Sequence, residues 1–268
     1  MVNVLIPTDF SANAENAFFY ALSLLKRKKC TFYITHILGG SAKYFPYKKP
    51  EADDLAKKQI QQLILKAEKN FSDESYVFFS QVLYGNTVDS IRNEVEDKKI
   101  NLIVIGVKGR AASDNSVGST TADIIHKVKC STLIVPEKAT FTPGKNIAFP
   151  TDYSIFYGSE ILETISFYQK QLHSKIHILY LSKKDEKMIE AQKQNKELLQ
   201  EYFSENLHCF CAVTSKEIDS AVKSYVANND IGLIALAARD IHIFQQLLLN
   251  PTHTGKIQQA YVPFLVLH

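Results

Sequence analysis

The chain has no apolar run approaching the roughly 18 residues that a membrane-spanning helix needs. Its opening stretch, Met1 to Ser11 (MVNVLIPTDFS), has no basic segment and its apolar run stops at Pro7, so no secretory leader is expected. Cysteine is scarce. Cys30, Cys130, Cys209 and Cys211 are too few in 268 residues for a disulfide framework, and a Cys209–Cys211 bond would close a small, strained ring. A charge excess is missing as well: 31 basic against 28 acidic residues leave +3, which supplies no electrostatic drive toward nucleic acid or a membrane surface. The expectation is a cytoplasmic protein with reduced thiols, and 46% hydrophobic residues are ample for one or two buried cores.

What the sequence does contain is a long internal repeat. Val2 to Ser11 (VNVLIPTDFS) returns as Lys145 to Ser154 (KNIAFPTDYS), with Pro7-Thr8-Asp9-aromatic-Ser11 repeated 143 residues later. Leu133-Ile134-Val135 likewise answers to Leu265-Val266-Leu267, and Leu102-Ile103 to Leu233-Ile234. The chain is thus expected to be two copies of one unit, at 1–138 and 145–268, joined where Pro136, Pro143 and Gly144 punctuate a polar stretch.

Within the first copy, apolar or β-branched runs near Asn3–Ile6, Thr31–Leu38, Tyr76–Leu83, Leu102–Ile105 and Thr132–Val135 predict five strands. Helical spacing lies between them, as in Ala14, Ala17, Phe18, Ala21, Leu22 and Leu25. The second copy repeats the order, with strands near Asn146–Phe149, Lys175–Leu181, Leu207–Val213, Leu233–Leu236 and Pro263–Leu267 and a last helix near Thr252–Gln259. Such β/α alternation predicts an α/β fold of two tandem, doubly wound, five-stranded parallel sheets. With a strand order 3-2-1-4-5, a crevice opens at the carboxyl ends of strands one and four, where the winding direction reverses.

Two segments of the first copy would meet there. Pro7 ends strand one and places Thr8, Asp9 and Ser11 at the mouth of the next helix. Gly106 to Ser119 (GVKGRAASDNSVGS) leaves strand four through Gly106 and Gly109 and enters a helix through Gly118, Ser119 and Thr120. Glycines at both ends of a loop let backbone N–H groups approach an anion, and the helix dipole adds attraction. Asp9 is placed to accept from a ribose hydroxyl, and Lys108 and Arg110 to add positive charge, so the pair of segments points to a nucleotide.

These residues resemble the tandem universal stress proteins: the opening V-L-I-P-T-D-F-S, Gly106-x2-Gly109 followed by Gly118-Ser119, and the closing S-T-L-I-V-P fall in that family's order. The resemblance is strong over 1–137 and weak over 145–268. It implies a Rossmann-like fold of the adenine nucleotide alpha hydrolase type that binds ATP, or ADP or AMP, in the first copy. It implies Asp9 near the ribose, Gly106, Gly109, Gly118 and Ser119 at the phosphates, and Ile37 and Ile105 as adenine contacts. It also implies pairing through the last strands, here between the two copies of one chain, with a homodimer and an unidentified protein partner as further expectations. One departure stands out. The family loop has nine residues between its second glycine and the Gly-Ser pair, whereas Arg110 to Val117 is eight.

The second copy departs further: Ala237 stands for Gly106, Asp240 for Gly109, and Pro251-Thr252 for Gly118-Ser119. A carboxylate repels phosphate and Cβ atoms resist the turn, so this copy is expected to hold no ATP, and its Asp152 reads as a helix cap. His208-Cys209-x-Cys211 sets two thiols on one strand face, but no second ligand pair with finger spacing follows; small thiols on a buried strand are the expectation. Asp240, His242 and His253 are likewise assigned no metal. Neither a Gly-x4-Gly-Lys-Ser/Thr loop nor a Gly-x-Ser-x-Gly elbow occurs, and no general base is placed beside the phosphates, so a regulatory protein is expected rather than an enzyme. The alternatives are a slow ATPase and a scaffold without nucleotide.

Overall fold

The computed structural model describes residues 1–26, 28–39, 50–71, 75–107, 119–183, 187–240 and 262–268. These residues divide into two compact units, 1–138 and 139–268.

The first unit begins with β1 (Val2–Pro7), in which Val4, Leu5 and Ile6 are all buried, as befits a parallel strand covered on both faces. Ser11 caps α1 (Ala12–Leu24), its hydroxyl accepting from the Ala14 N–H at 3.2 Å. Ala14, Ala17 and Ala21 line the buried side of this helix and let it lie close to the sheet, while Phe18 fills the space beside them. β2 (Cys30–Gly39) is followed by α2 (Pro50–Asn70), where proline occupies the first helical position, whose N–H has no intrahelical partner. Ala56, Ile60, Leu63, Ile64 and Ala67 bury one stripe of α2, and its lysines and glutamines face outward. β3 (Tyr76–Gly85), α3 (Thr87–Asp97), β4 (Leu102–Gly106), α4 (Ser119–Lys127) and β5 (Thr132–Val135) complete the unit. Its sheet runs β3-β2-β1-β4-β5, with neighbouring strands parallel.

An aromatic cluster holds one face. Phe18 meets Phe32 and Phe78 edge-on, Phe32 stacks on Phe78 at 5.6 Å, and the Tyr76 hydroxyl donates to the Leu22 carbonyl at 2.7 Å. Each such ring contributes about 1.5–3 kcal/mol on burial, and edge-to-face geometry adds about 0.5–1.5 kcal/mol.

The second unit repeats the plan with β6 (Asn146–Thr151), α5 (Ser159–Leu172), β7 (Ile176–Ser182), α6 (Glu190–Tyr202), β8 (His208–Thr214), α7 (Ile218–Asn228), β9 (Ile231–Ala237) and β10 (Phe264–Leu267). Its strands are ordered β8-β7-β6-β9-β10 and are parallel, the same 3-2-1-4-5 winding. The helix expected near Thr252–Gln259, with His242 and His253, lies outside the described residues. Asp152 is not a helix cap. Its Oδ1 accepts the Ser154 N–H at 2.7 Å in a local turn, and α5 starts later, with Gly158 as its N-cap. The intervening residues form no regular element, and among them the Tyr157 hydroxyl is hydrogen-bonded. No helix among the described residues is long and apolar enough to cross a membrane.

Candidate functional site

In the first unit β1 and β4 pair at Val4↔Leu102 and Leu5↔Ile103, and the ladder goes no further toward their carboxyl ends. Pro7 and Gly106 are therefore the ends of two diverging strands, at the point where the winding reverses, the place where open α/β sheets hold ligands. The chain turns sharply after Pro7. The Thr8 Oγ1 accepts the Phe10 N–H at 3.0 Å and the Asp9 Oδ1 accepts the Ser11 N–H at 3.0 Å. Phe10 sits between these bonds at φ 61°, a left-handed conformation that costs a non-glycine residue about 1–3 kcal/mol and is held here by its surroundings. Its ring leans on His36, with centroids 4.5 Å apart, and His36 Nδ1 is 2.7 Å from the Thr8 carbonyl. Since that carbonyl only accepts, Nδ1 carries the proton.

Glycine at 106 leaves room for a side chain of α1. A Cβ there would lie 2.6 Å from Nδ2 of Asn13, a buried residue of α1. The Gly106 carbonyl accepts from Thr121 Oγ1 at 3.2 Å, which ties the first turn of α4 to the end of β4. Asn16 of α1 donates to the Pro136 carbonyl at 3.1 Å and so ties α1 to the chain beyond β5.

Most of the residues expected at the site gather at these strand ends. Pro7 ends β1, Thr8 is buried, and Asp9 is half-buried with Oδ1 engaged in the turn. Ile105 is buried in β4 beside Gly106, and Ile37 is half-buried on β2, beyond the last β1 pairing at Pro7↔Thr35. Ser119 and Thr120 are exposed in the first turn of α4. Gly109, Arg110 and Gly118, with Lys108, lie outside the described residues.

The second unit builds the same turn but fills the space beside it. Thr151 Oγ1 accepts the Tyr153 N–H at 2.9 Å, and Tyr153 takes φ 60°. Its ring is buried and stacks on Tyr180 at 5.0 Å, where the first unit has Phe10 on His36. The Tyr157 hydroxyl lies 2.7 Å from Thr151 Oγ1 and donates to Asp240 Oδ2 at 3.1 Å. Burial first, and the Asp240 charge second, push the Tyr157 phenol well above its ordinary range, so it remains a donor. Asp240 is itself 4% exposed. A buried tyrosine–carboxylate pair thus stands at the strand ends of this unit, and it offers a phosphate negative charge.

The profile of the universal stress protein family matches residues 1–136, half of the chain. The chain belongs to the universal stress protein family. Among solved structures it is similar to a universal stress protein from Archaeoglobus fulgidus DSM 4304, at 14% identity over 99% of this chain and 95% of that one, with a TM-score of 0.65. A protein of unknown function from Pseudomonas aeruginosa PAO1 aligns over 99% of this chain and 92% of its own at 13% identity and a TM-score of 0.62. Identities this low speak for a shared fold alone. Comparison with curated proteins finds no match.

For this universal stress protein, sequence reasoning missed Asn13, His36 and Tyr157, whose roles come from contacts across the fold. It also misplaced the histidine near the thiol pair. His208 Nδ1 bonds to the Asn206 carbonyl at 2.8 Å, whereas His177, on the neighbouring strand, lies in register with Cys209. A ring nitrogen of His177 and the sulfurs of Cys209 and Cys211 fall within 4.8 Å of one another. Burial foremost, then Lys175, lowers the His177 pKa from its ordinary value, which keeps the imidazole neutral.

Proposed function

We propose that the first unit binds an adenine nucleotide, ATP foremost, across the carboxyl ends of β1 and β4, and that the protein is a ligand-controlled regulator rather than an enzyme. The observation that carries this reading is the contrast between the copies. Both keep the Thr-Asp-aromatic-Ser turn, but the repeat sets Ala14 against Tyr157 and Gly109 against Asp240. The second copy puts a buried phenol and a carboxylate at its strand ends, while at the matching positions of its sequence the first has Ala14 and Gly109. A parallel sheet's reversal point, a turn carrying Asp9, and a glycine-lined exit from β4 suit a nucleotide whose ribose meets Asp9 and whose phosphates meet the loop from Gly106 to Ser119. Ile37 and Ile105 then serve as the apolar contacts of the base.

The test is to denature the purified protein, identify the released small molecules by chromatography, and titrate stripped protein with ATP by calorimetry. About one nucleotide per chain is expected, lost in Gly109→Asp, which writes the second copy's Asp240 into the first. Two nucleotides per chain would refute the assignment of the second copy, and ATP turnover above about 1 per second would refute the regulatory reading. The eight-residue spacing from Arg110 to Val117 favours one alternative, a nucleotide-free scaffold, which the absence of both released nucleotide and binding heat would establish. Light scattering reports on assembly: a mass of one chain is expected if the two copies serve each other as the family's paired subunits do, and twice that mass means a homodimer.

A further inference from the structure

The second unit carries a cluster that the nucleotide reading does not use. Cys209 and Cys211 project from one face of β8, two residues apart, with their sulfurs 3.7 Å from each other. His177 lies beside them on β7, paired in register with Cys209. The imidazole is 7% exposed; its Nδ1 is 2.8 Å from the Tyr225 hydroxyl of α7, and its Nε2 is buried with no hydrogen-bond partner among the described residues. Burying a polar nitrogen in this way costs free energy that the surrounding hydrogen bonds do not return.

Packing does not require these residue types. The matching register in the first unit pairs Tyr33 with Phe79 and Thr35 with Gln81, so Tyr33 stands for His177, Phe79 for Cys209 and Gln81 for Cys211. There the two rings stack at 5.3 Å and 14°. One face of the same fold is thus served by an aromatic stack in one copy and by an imidazole with two thiols in the other.

We propose that His177, Cys209 and Cys211 form a site for a thiophilic cation, Zn2+ foremost. The distances suit it. Two thiolates on tetrahedral zinc, at bonds of about 2.3 Å, lie about 3.8 Å apart, close to the sulfur separation found here. The imidazole nitrogen needs about 3.5 Å to each sulfur, within reach by side-chain rotation from a cluster 4.8 Å across. Tyr225 bonds to the imidazole and interacts with Cys211, the outer partner that orients a histidine ligand. Lys175 lies near Cys209, and its positive charge offsets part of the charge of two thiolates. Cys209 and Cys211 are half-buried on an edge strand, which leaves the metal a path of entry and a fourth position open. Three protein ligands with an open fourth position are the pattern of an accessible rather than a sealed zinc site.

The test uses the full chain, reduced, stripped with chelator and titrated with Co2+ and then Zn2+. One Co2+ per chain with a thiolate charge-transfer band, displaced by one Zn2+, is expected. The band should vanish in the Cys209→Ser, Cys211→Ser double variant, with far-ultraviolet circular dichroism unchanged, and Tyr225→Phe should weaken affinity about 10–100-fold. On the unaltered protein, Zn2+ should protect Cys209 and Cys211 from alkylation, read by peptide mass. No charge-transfer band, a band that persists in the double variant, or alkylation indifferent to Zn2+ would overturn the proposal. So would isolation of the reduced-buffer protein with Cys209 and Cys211 joined as a disulfide.

Discussion

Replacing Tyr157 with Phe tests the polar plug of the second unit atom by atom. The ring stays against Phe149, whose centroid is 4.9 Å away, and only the hydroxyl is lost. That hydroxyl has one proton. The Asp240 carboxylate can only accept, so the tyrosyl proton goes to Asp240, and the hydrogen shared with Thr151 comes from Thr151, whose Oγ1 in turn accepts the Tyr153 N–H. Deletion therefore costs a bond to a buried charged acceptor, about 1.5–3 kcal/mol, and a neutral one, about 0.5–1.5 kcal/mol. A loss of about 2–4 kcal/mol is expected for the second unit. Hydrogen exchange read on peptides of 139–268 is the assay, since it reports on that unit directly, with denaturation followed by circular dichroism beside it. In an Asp240→Asn background the same replacement should cost about 1–2 kcal/mol less, since the charged acceptor has gone. A loss below about 0.5 kcal/mol, or an equal loss in both backgrounds, would refute the account of this network.

Three further outcomes are expected. Gly106→Ala should destabilise the first unit by about 1–3 kcal/mol, because its Cβ would meet Asn13 at 2.6 Å, and Asn13→Ala should relieve the loss; thermal melting of the single and double variants checks this. Native alkylation should reach Cys209 and Cys211 well before Cys30 and Cys130, which are buried, and burial pushes the Cys130 thiol up to about 12, keeping it unreactive near neutrality; peptide masses over time give the order. Tyr20, Tyr153 and Tyr157 all have phenols raised above the ordinary 10.0, chiefly by burial, so the folded chain holds protons that the unfolded chain gives up. Their contribution is full below pH 10 and is lost as pH rises above it; denaturant midpoints from pH 8 to 11 should be level at first and then fall, and a steady rise would refute the sign.

The fold was legible because its inner strands are buried on both faces. Val4-Leu5-Ile6, Leu102 to Ile105 and Leu233 to Leu236 are continuous apolar runs, and a parallel strand under helices on both sides leaves no polar face to interrupt them. The doubled Pro-Thr-Asp-aromatic-Ser segment was legible for a different reason: it forms the same pair of side-chain-to-backbone bonds in both units, all within two residues. Where local bonds decide the structure, local sequence reports it. The role of Asp152 was harder to read from the turn alone, since it rested on analogy with a helix mouth that the second unit has moved to Gly158.

The site divides along the same line. Thr8, Asp9 and Gly106 were visible as residue types that turns and close approaches demand, whereas the reasons they matter are held by partners far along the chain: Asn13 against Gly106, His36 against Thr8, and Tyr157 against Asp240. The thiol cluster makes the point most sharply. A search for metal ligands along one strand finds His208-Cys209-x-Cys211 and rejects it for want of a second pair, but a parallel sheet brings the third ligand from the next strand, at a separation set by an intervening helix rather than by any finger-like spacing. Strand register decides which histidine belongs. His177 pairs with Cys209 and shares its face, while His208, next to Cys209 in sequence, alternates to the other face and bonds to Asn206. Two copies that share a turn have thus diverged at the side chains their neighbouring strands and helices present, and it is there, at Ala14 against Tyr157 and at Tyr33 against His177, that their different chemistries arise.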